Sequence, residues 1–381
     1  MKLYFDNAAA VPVRSSTMAR LAALAQDFSA NQEASGAAAE AVRAAISTAE
    51  QRLLNAACGS KAGGHSVFWT NTGTDAVRAA VMAFMLTPEK HGGVLFTDGE
   101  HASIPPALDM LPASCPRNRV KLLRDGRIDL TDLSQKLNER TRLVVFHWVQ
   151  SETGVMQDLA AVHSMVKSIA PQASLLVDAI QGAGKLPFDF ASVQPEFFLL
   201  SGQKFGLPSG AAMLYSDEFR PAVKKLRGER HAFGRVPPPF LLLLAETFGG
   251  RMATMSGDLD YIRGLRERFL AELKEALPDG CWRETVPAEH ASPYIVHLLF
   301  SGGRQTYQGA ILTRIMAKFG ASIASGSACD AETGTPSRVL TAMGFGRDEA
   351  YSAVRVSFFD QNTPDEAAEL ARLLARAVRE Y

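Results

Sequence analysis

The chain has 381 residues, 47% of them hydrophobic, so it exceeds one typical domain and has ample apolar material for a core. Forty basic residues balance forty acidic ones, which argues against a nucleic-acid or membrane-surface partner and leaves a small ligand. The longest apolar run, Phe240 to Ala245, is too short to span a bilayer, and the amino terminus reaches Asp6 before a signal-peptide core develops, so the expected location is cytoplasmic. Four scattered cysteines show no paired spacing, and neither a disulfide framework nor a metal site is expected.

In chain order, a short extended segment leads to Asp6-Asn7-Ala8-Ala9, and Ala-rich helices are predicted over 14–28 and 37–57. Ser66 to Thr70 reads as a strand, followed by the polar turn Asn71-Thr72-Gly73-Thr74-Asp75 and a helix from about Ala76 to Leu86. Strand, polar turn and helix make an anion-binding arrangement; an ordinary threonine helix cap is the competing reading. A strand at Val94–Thr97 ends near His101, a residue suited to stacking on a planar ring or moving a proton. Leu143 to Val149 is the next strand, leading to Gln150-Ser151-Glu152, and Asp158 to Ile169 reads as a helix. Strands alternating with helices in this way predict an α/β fold with a mainly parallel sheet.

Three short apolar runs follow, Leu175–Asp178, Phe197–Ser201 and Ala211–Tyr215, each bounded by turn residues. Ligands gather at the carboxyl ends of parallel strands, so Asp178 and Lys204 are expected to face one pocket. A carboxylate and an amine meeting there suggest pyridoxal 5'-phosphate, whose aldehyde takes the amine while the carboxylate pairs with the ring nitrogen. The basic stretch Lys224 to His231 and the Pro-rich loop at Val236–Pro239 come next. The pattern changes over Gly250–Ser256, before a helix expected at 259–277. A large domain over 15–255 is therefore expected, with a smaller α+β domain from 1–14 and 256–381.

In that smaller unit, strands are predicted at 294–299 and 353–358, with helices at 306–319 and from Pro364. Ser325-Gly326-Ser327-Ala328-Cys329 lies in a loop of small residues over 322–336, where a cysteine is reachable, whereas Cys58 and Cys281 fit inert packing. Arg355 is expected on the polar face of a half-buried strand, where its guanidinium could grip a carboxylate.

Together these residues resemble the pyridoxal-phosphate-dependent cysteine desulfurases of the NifS/IscS type, within the class V aminotransferase fold, fold type I. The likeness rests on Tyr4-Phe5-Asp6-Asn7-Ala8-Ala9, Thr72-Gly73-Thr74, His101, Glu152-x-Gly154, Asp178-Ala179-x-Gln181, Gly184-Lys185-Leu186-Pro187, Ser201-x-x-Lys204, Ser325 to Cys329 and Arg355-x-Ser357. The resemblance implies that Lys204 is the Schiff-base lysine, Asp178 pairs with the ring nitrogen, Gln181 meets the ring hydroxyl and His101 stacks on the ring. Thr74 and Ser201 would hold the phosphate, with Thr72, Gly73, Ser151 and Gln203 also at the cofactor.

It further implies L-cysteine as substrate, Asn31 and Arg355 as substrate contacts, and Cys329 as the nucleophile that takes the sulfur as a persulfide and releases alanine. A homodimer and a protein that accepts the sulfur belong to the same expectation. An aminotransferase or selenocysteine lyase of this fold, and a degenerate scaffold for sulfur-transfer partners, are the alternatives. The chain departs from the family at Gln203, where a histidine is usual, at Gln150-Ser151, where paired asparagines are usual, and over Asn31–Gly36, which lacks a histidine.

Overall fold

The structure, a computed structural model, describes residues 3–59, 64–228, 233–302, 307–326 and 336–381. The expected helix start at Thr306, the end of the basic stretch (Glu229 to His231) and the segment holding Cys329 lie outside these residues.

Twelve strands are described: β1 (Leu3–Tyr4), β2 (His65–Thr70), β3 (Gly93–Thr97), β4 (Arg117–Val120), β5 (Thr141–His147), β6 (Ser174–Asp178), β7 (Phe197–Ser201), β8 (Ala211–Ser216), β9 (Trp282–Glu284), β10 (Ile295–Phe300), β11 (Ala321–Ser322) and β12 (Ala353–Ser357). Seven of them form the main sheet, in the order β2-β8-β7-β6-β5-β3-β4. Every neighbouring pair is parallel except those of β8, which runs against both β2 and β7. The carboxyl ends of β2, β7, β6, β5 and β3 therefore share one edge.

The continuous apolar runs follow from burial on both faces. Alternate residues of one strand, such as Phe198 and Leu200 against Phe197 and Leu199, enter two different cores. The second core is closed by the helices Gly73–Met85 and Arg220–Gly228, whose apolar faces supply Val77, Val81, Phe84, Val223 and Leu226.

Two smaller sheets complete the fold: antiparallel β12-β10-β9 and parallel β1-β11. The amino-terminal segment is clasped by the carboxyl-terminal part of the chain. Asn7 donates to the Ser357 carbonyl at 2.7 Å, and the Ala8 amide donates to the Ser357 hydroxyl at 2.9 Å. β11 takes up Ala321 and Ser322, so the loop expected from Ser322 begins one residue later.

The largest departure from the sequence reading is a single helix of 39 residues, Pro238–Ala276. The expected Pro-rich loop becomes its start, because proline is tolerated in the first turn, where amides have no intrahelical acceptor. The change of pattern over Gly250–Ser256 falls in the middle of this helix. Tertiary packing against the helices Ala37–Cys58 and Pro364–Arg379 outweighs the local helix penalty of Gly249 and Gly250.

Candidate active site

The shared strand edge opens into a cavity of about 450 Å³, within the range of small-molecule sites. Of the residues singled out in the sequence, Thr72, Gly73, Thr74, His101, Ser151, Asp178, Gln181, Ser201, Gln203, Lys204 and Arg355 all line it.

Lys204 sits on a tight turn, Gly202–Phe205, that follows β7 and is ended by Gly206 at φ +91°. That left-handed conformation suits glycine and lets the chain reverse directly after the lysine. The Lys204 ammonium donates to the carbonyls of Ala8 at 3.0 Å and Ala9 at 2.6 Å. Burial, reinforced by the Arg355 guanidinium, lowers its pKa to about 8, while Asp178 and Asp6 pull the other way.

Asp178 ends β6 in register with His147 on one side and Leu199 on the other. It is buried, and its carboxylate accepts the Ile180 amide at 3.1 Å. Burial raises its pKa, His101 and the Ile180 amide lower it, and Glu100 adds to the rise. A cationic partner in the cavity is the group that would keep this carboxylate ionised.

Gln181 donates to the Ala8 carbonyl at 2.7 Å and accepts from Lys185 at 3.2 Å. Lys185 is itself buried, which pushes its amine well below the usual range, and Lys204 adds to the effect. The Ala8 carbonyl thus receives both Gln181 and Lys204, which ties the amino-terminal segment to the strand ends.

The hydroxyl of Thr72 is committed to its helix. It accepts the Asp75 amide at 3.1 Å and donates to the Asp75 carboxylate at 2.8 Å. The cap reading of the sequence therefore holds for the Thr72 side chain, and Thr74, Ser201 and the open first-turn amides remain for an anion. Gly73 is the close approach: a Cβ there would lie 2.7 Å from Ile180 Cδ1 and 3.6 Å from the Ser201 Cβ.

Arg355 corrects the sequence reading. Its strand is buried throughout, and Arg355 itself is only 5% exposed. The guanidinium donates to the Ser151 carbonyl at 2.9 Å and pairs with Asp6 at 2.6 Å, while its Nε has no hydrogen-bond partner among the described residues. Asn31 does not line this cavity. It accepts from Arg235 at 2.7 Å, beside the Arg235–Glu33 ion pair, next to a separate cavity of about 410 Å³.

The sequence reading missed a buried pair in the wall of the cavity, His147 and Glu100. Gln157 accepts the Ile128 amide at 2.8 Å, which turns its amide nitrogen to His147 Nε2 at 2.9 Å. His147 is therefore protonated on Nδ1, which donates to Glu100 at 3.0 Å. Thr97 donates to the same Glu100 oxygen at 2.8 Å. His147 stands at the carboxyl end of a predicted strand, the signal that singled out His101.

Gln150, where the family usually has asparagine, accepts the Glu152 and Thr153 amides and donates to the Gly99 carbonyl at 3.2 Å, joining two loops that line the cavity. Gln203 is exposed and reaches the Pro208 carbonyl at 3.5 Å.

None of the described cysteines lines the cavity. Cys58 and Cys115 are buried, Cys281 is half-buried, and burial pushes the Cys58 thiol up to about 12. Cys329 lies outside the described residues. The ends of its segment approach Glu152: Ser337 donates to that carboxylate at 2.9 Å, and a Cβ on Gly326 would lie 3.7 Å from it.

A sheet edge that presents an amine, a carboxylate and an anion-binding helix start to one cavity fits pyridoxal phosphate, and the fold is that of the fold type I pyridoxal-phosphate proteins. Residues 3–228 match the Aminotransferase class-V family, and the chain belongs to that pyridoxal-phosphate-dependent family. It is 29% identical over 265 residues to the cysteine desulfurase IscS of Escherichia coli K12 / DH10B and equally to that of Shigella boydii serotype 18. These matches cover 67% of this chain and 62% of each relative.

Solved structures show the same fold over the whole chain. A NifS-like protein superposes with a TM-score of 0.84 at 18% identity, covering all of both chains. The apo cysteine desulfurase of Thermococcus onnurineus NA1 superposes with a TM-score of 0.79 at 16% identity, covering 100% of this chain and 95% of that one.

Proposed function

We propose that the chain is a cysteine desulfurase that converts L-cysteine to L-alanine and passes the sulfur through a persulfide on Cys329 to an acceptor. The observation that carries this reading is the meeting of Lys204, Asp178 and Arg355 in one cavity, in a chain similar to IscS. When bound, pyridoxal phosphate supplies an electron sink that acidifies the α-carbon of an attached amino acid.

Lys204 is the residue that would carry the cofactor and move the α-proton, and a pKa of about 8 keeps a neutral amine accessible close to physiological pH. Asp178 would hold the ring nitrogen of the cofactor, Gln181 the ring hydroxyl, and His101 would pack against the ring. The Ser103 amide donates to His101 Nδ1 at 3.2 Å, which leaves its proton on Nε2. Thr74, Ser201 and the backbone at Thr72 and Gly73 would hold the phosphate, with Ser151 and Gln203 also lining the cavity. Arg355 orients the substrate carboxylate. Cys329, as a thiolate, accepts the substrate sulfur.

We extend the reading to a homodimer, a protein sulfur acceptor, a place in iron–sulfur cluster assembly and a cytoplasmic setting. We extend the reading to two domains, 15–255 for the cofactor and 1–14 with 256–381 for the cysteine segment. Among the described residues no helix is long and apolar enough to cross a membrane.

The test is the visible spectrum of the purified protein with and without L-cysteine, together with alanine and sulfide release under a reductant. Lys204→Ala is expected to remove the lysine-bound cofactor band and Cys329→Ala to stop sulfide release. Sulfide release undiminished in Cys329→Ala sinks the persulfide role, and a wild-type protein without the band sinks the cofactor reading.

A further inference from the structure

We infer that Asp6 is a built-in counter-ion for Arg355, which a substrate carboxylate must displace, so that Asp6 sets how tightly the site holds carboxylates. The inference rests on the assignment of Arg355 as the carboxylate-binding residue.

Asp6 follows β1 and bridges to Ser357 of β12, two residues from Arg355 on the same strand. Its carboxylate meets the Arg355 Nη2 at 2.6 Å. The guanidinium side chain is 6% exposed, whereas Asp6 is 24% exposed. The cation is thus fixed and lines the cavity, and the more exposed anion, which does not line it, is the member of the pair that can move aside.

Two further observations agree. The Arg355 Nε is buried without an acceptor among the described residues, while Nη1 and Nη2 are held by Ser151 and Asp6. A planar carboxylate satisfies two guanidinium donors at once, and it would pair the idle Nε together with a neighbouring Nη. A buried guanidinium stripped of every counter-ion is also costly, so a site awaiting substrate requires a stand-in anion. Asp6 fills that place when substrate is absent.

Because Asp6 competes with substrate, neutralising it has the opposite effect to damaging the site: affinity for carboxylates rises. The experiment is calorimetric titration of the purified protein with propionate, a bare carboxylate with neither amine nor thiol. Asp6→Asn is expected to bind propionate about tenfold tighter or more than wild type, and Asp6→Glu, which keeps the charge, to stay within a few-fold of it. Asp6→Ser provides a second neutral variant should the amide fold poorly. Adding Arg355→Gln to either neutral variant is expected to abolish the gain.

Neutral variants that bind propionate no better than wild type overturn the proposal, as does a gain that survives Arg355→Gln. The readout needs no turnover. A failed desulfurase reading shows in the spectrum and the products, whereas a failed counter-ion shows in propionate affinity alone.

Discussion

Replacing Lys204 by methionine is expected to stabilise the cofactor-free protein near neutral pH, and the gain is expected to vanish as pH rises. Burial beside Arg355 brings the Lys204 pKa from 10.5 to about 8. At 1.36 kcal/mol per pH unit, holding the amine charged in the folded state at pH 7 costs about 3 kcal/mol relative to the unfolded chain. Methionine fills a similar volume without the charge. It forfeits the hydrogen bonds to Ala8 and Ala9, about 1 kcal/mol each in net terms. A net gain of about 1–2 kcal/mol at pH 7 follows.

The sign of the pH dependence is fixed by the lowered value. Between about 8 and 10.5 the unfolded chain binds the proton and the folded one does not, so wild-type stability rises with pH relative to the variant across that window. Urea denaturation of both proteins, followed by far-UV circular dichroism from pH 7 to 10.5, reads the difference directly. Parallel curves across the window would refute the argument, because they would mean that the Lys204 amine titrates alike in both states.

Other predictions concern the supports of the site. Burial lowers the His297 pKa from 6.5 to about 3, so the unfolded chain takes up this proton first as pH falls, and stability drops from pH 6.5 downward. His297→Gln is expected to flatten that acid limb in denaturation curves collected from pH 7 to 4; an unchanged limb counts against it. His147→Leu leaves the buried Glu100 carboxyl with Thr97 as its remaining side-chain partner among the described residues and is expected to cost about 2–3 kcal/mol, measured by urea denaturation. Thr363→Ala removes one half of a reciprocal cap with Glu366 at the closing helix, for a loss of about 1 kcal/mol and an unchanged cofactor spectrum.

Much of the sheet was legible because buried parallel strands are short apolar runs between turn residues, and β6 and β7 match their predicted positions closely. β4, Arg117–Val120, was invisible: three of its four residues are exposed at the sheet edge, so it has no apolar run to read. The helix Pro238–Ala276 was divided in the sequence reading because Pro and Gly are local signals, and packing along its length overrides them. Arg355 was read as half-exposed from alternation alone. Its strand lies between β10 and the amino-terminal segment, and Asp6, which compensates its burial, is far away in sequence.

By itself, the sequence determined most strands of the main sheet and the reactive side chains that mark their ends: Asp178 at the end of β6, Lys204 after β7, the threonine turn after β2. These are local matters of periodicity, capping and turn chemistry, which neighbouring residues decide. Only the tertiary structure decided which ends meet, that the Ala8 and Ala9 carbonyls receive the Lys204 amine, that the Thr72 hydroxyl is spent on its own helix, and that Arg355 rests on Asp6. Those outcomes depend on burial and on charges brought together from opposite ends of the chain. Desolvation and Coulomb interaction act through space, so no window of sequence contains them.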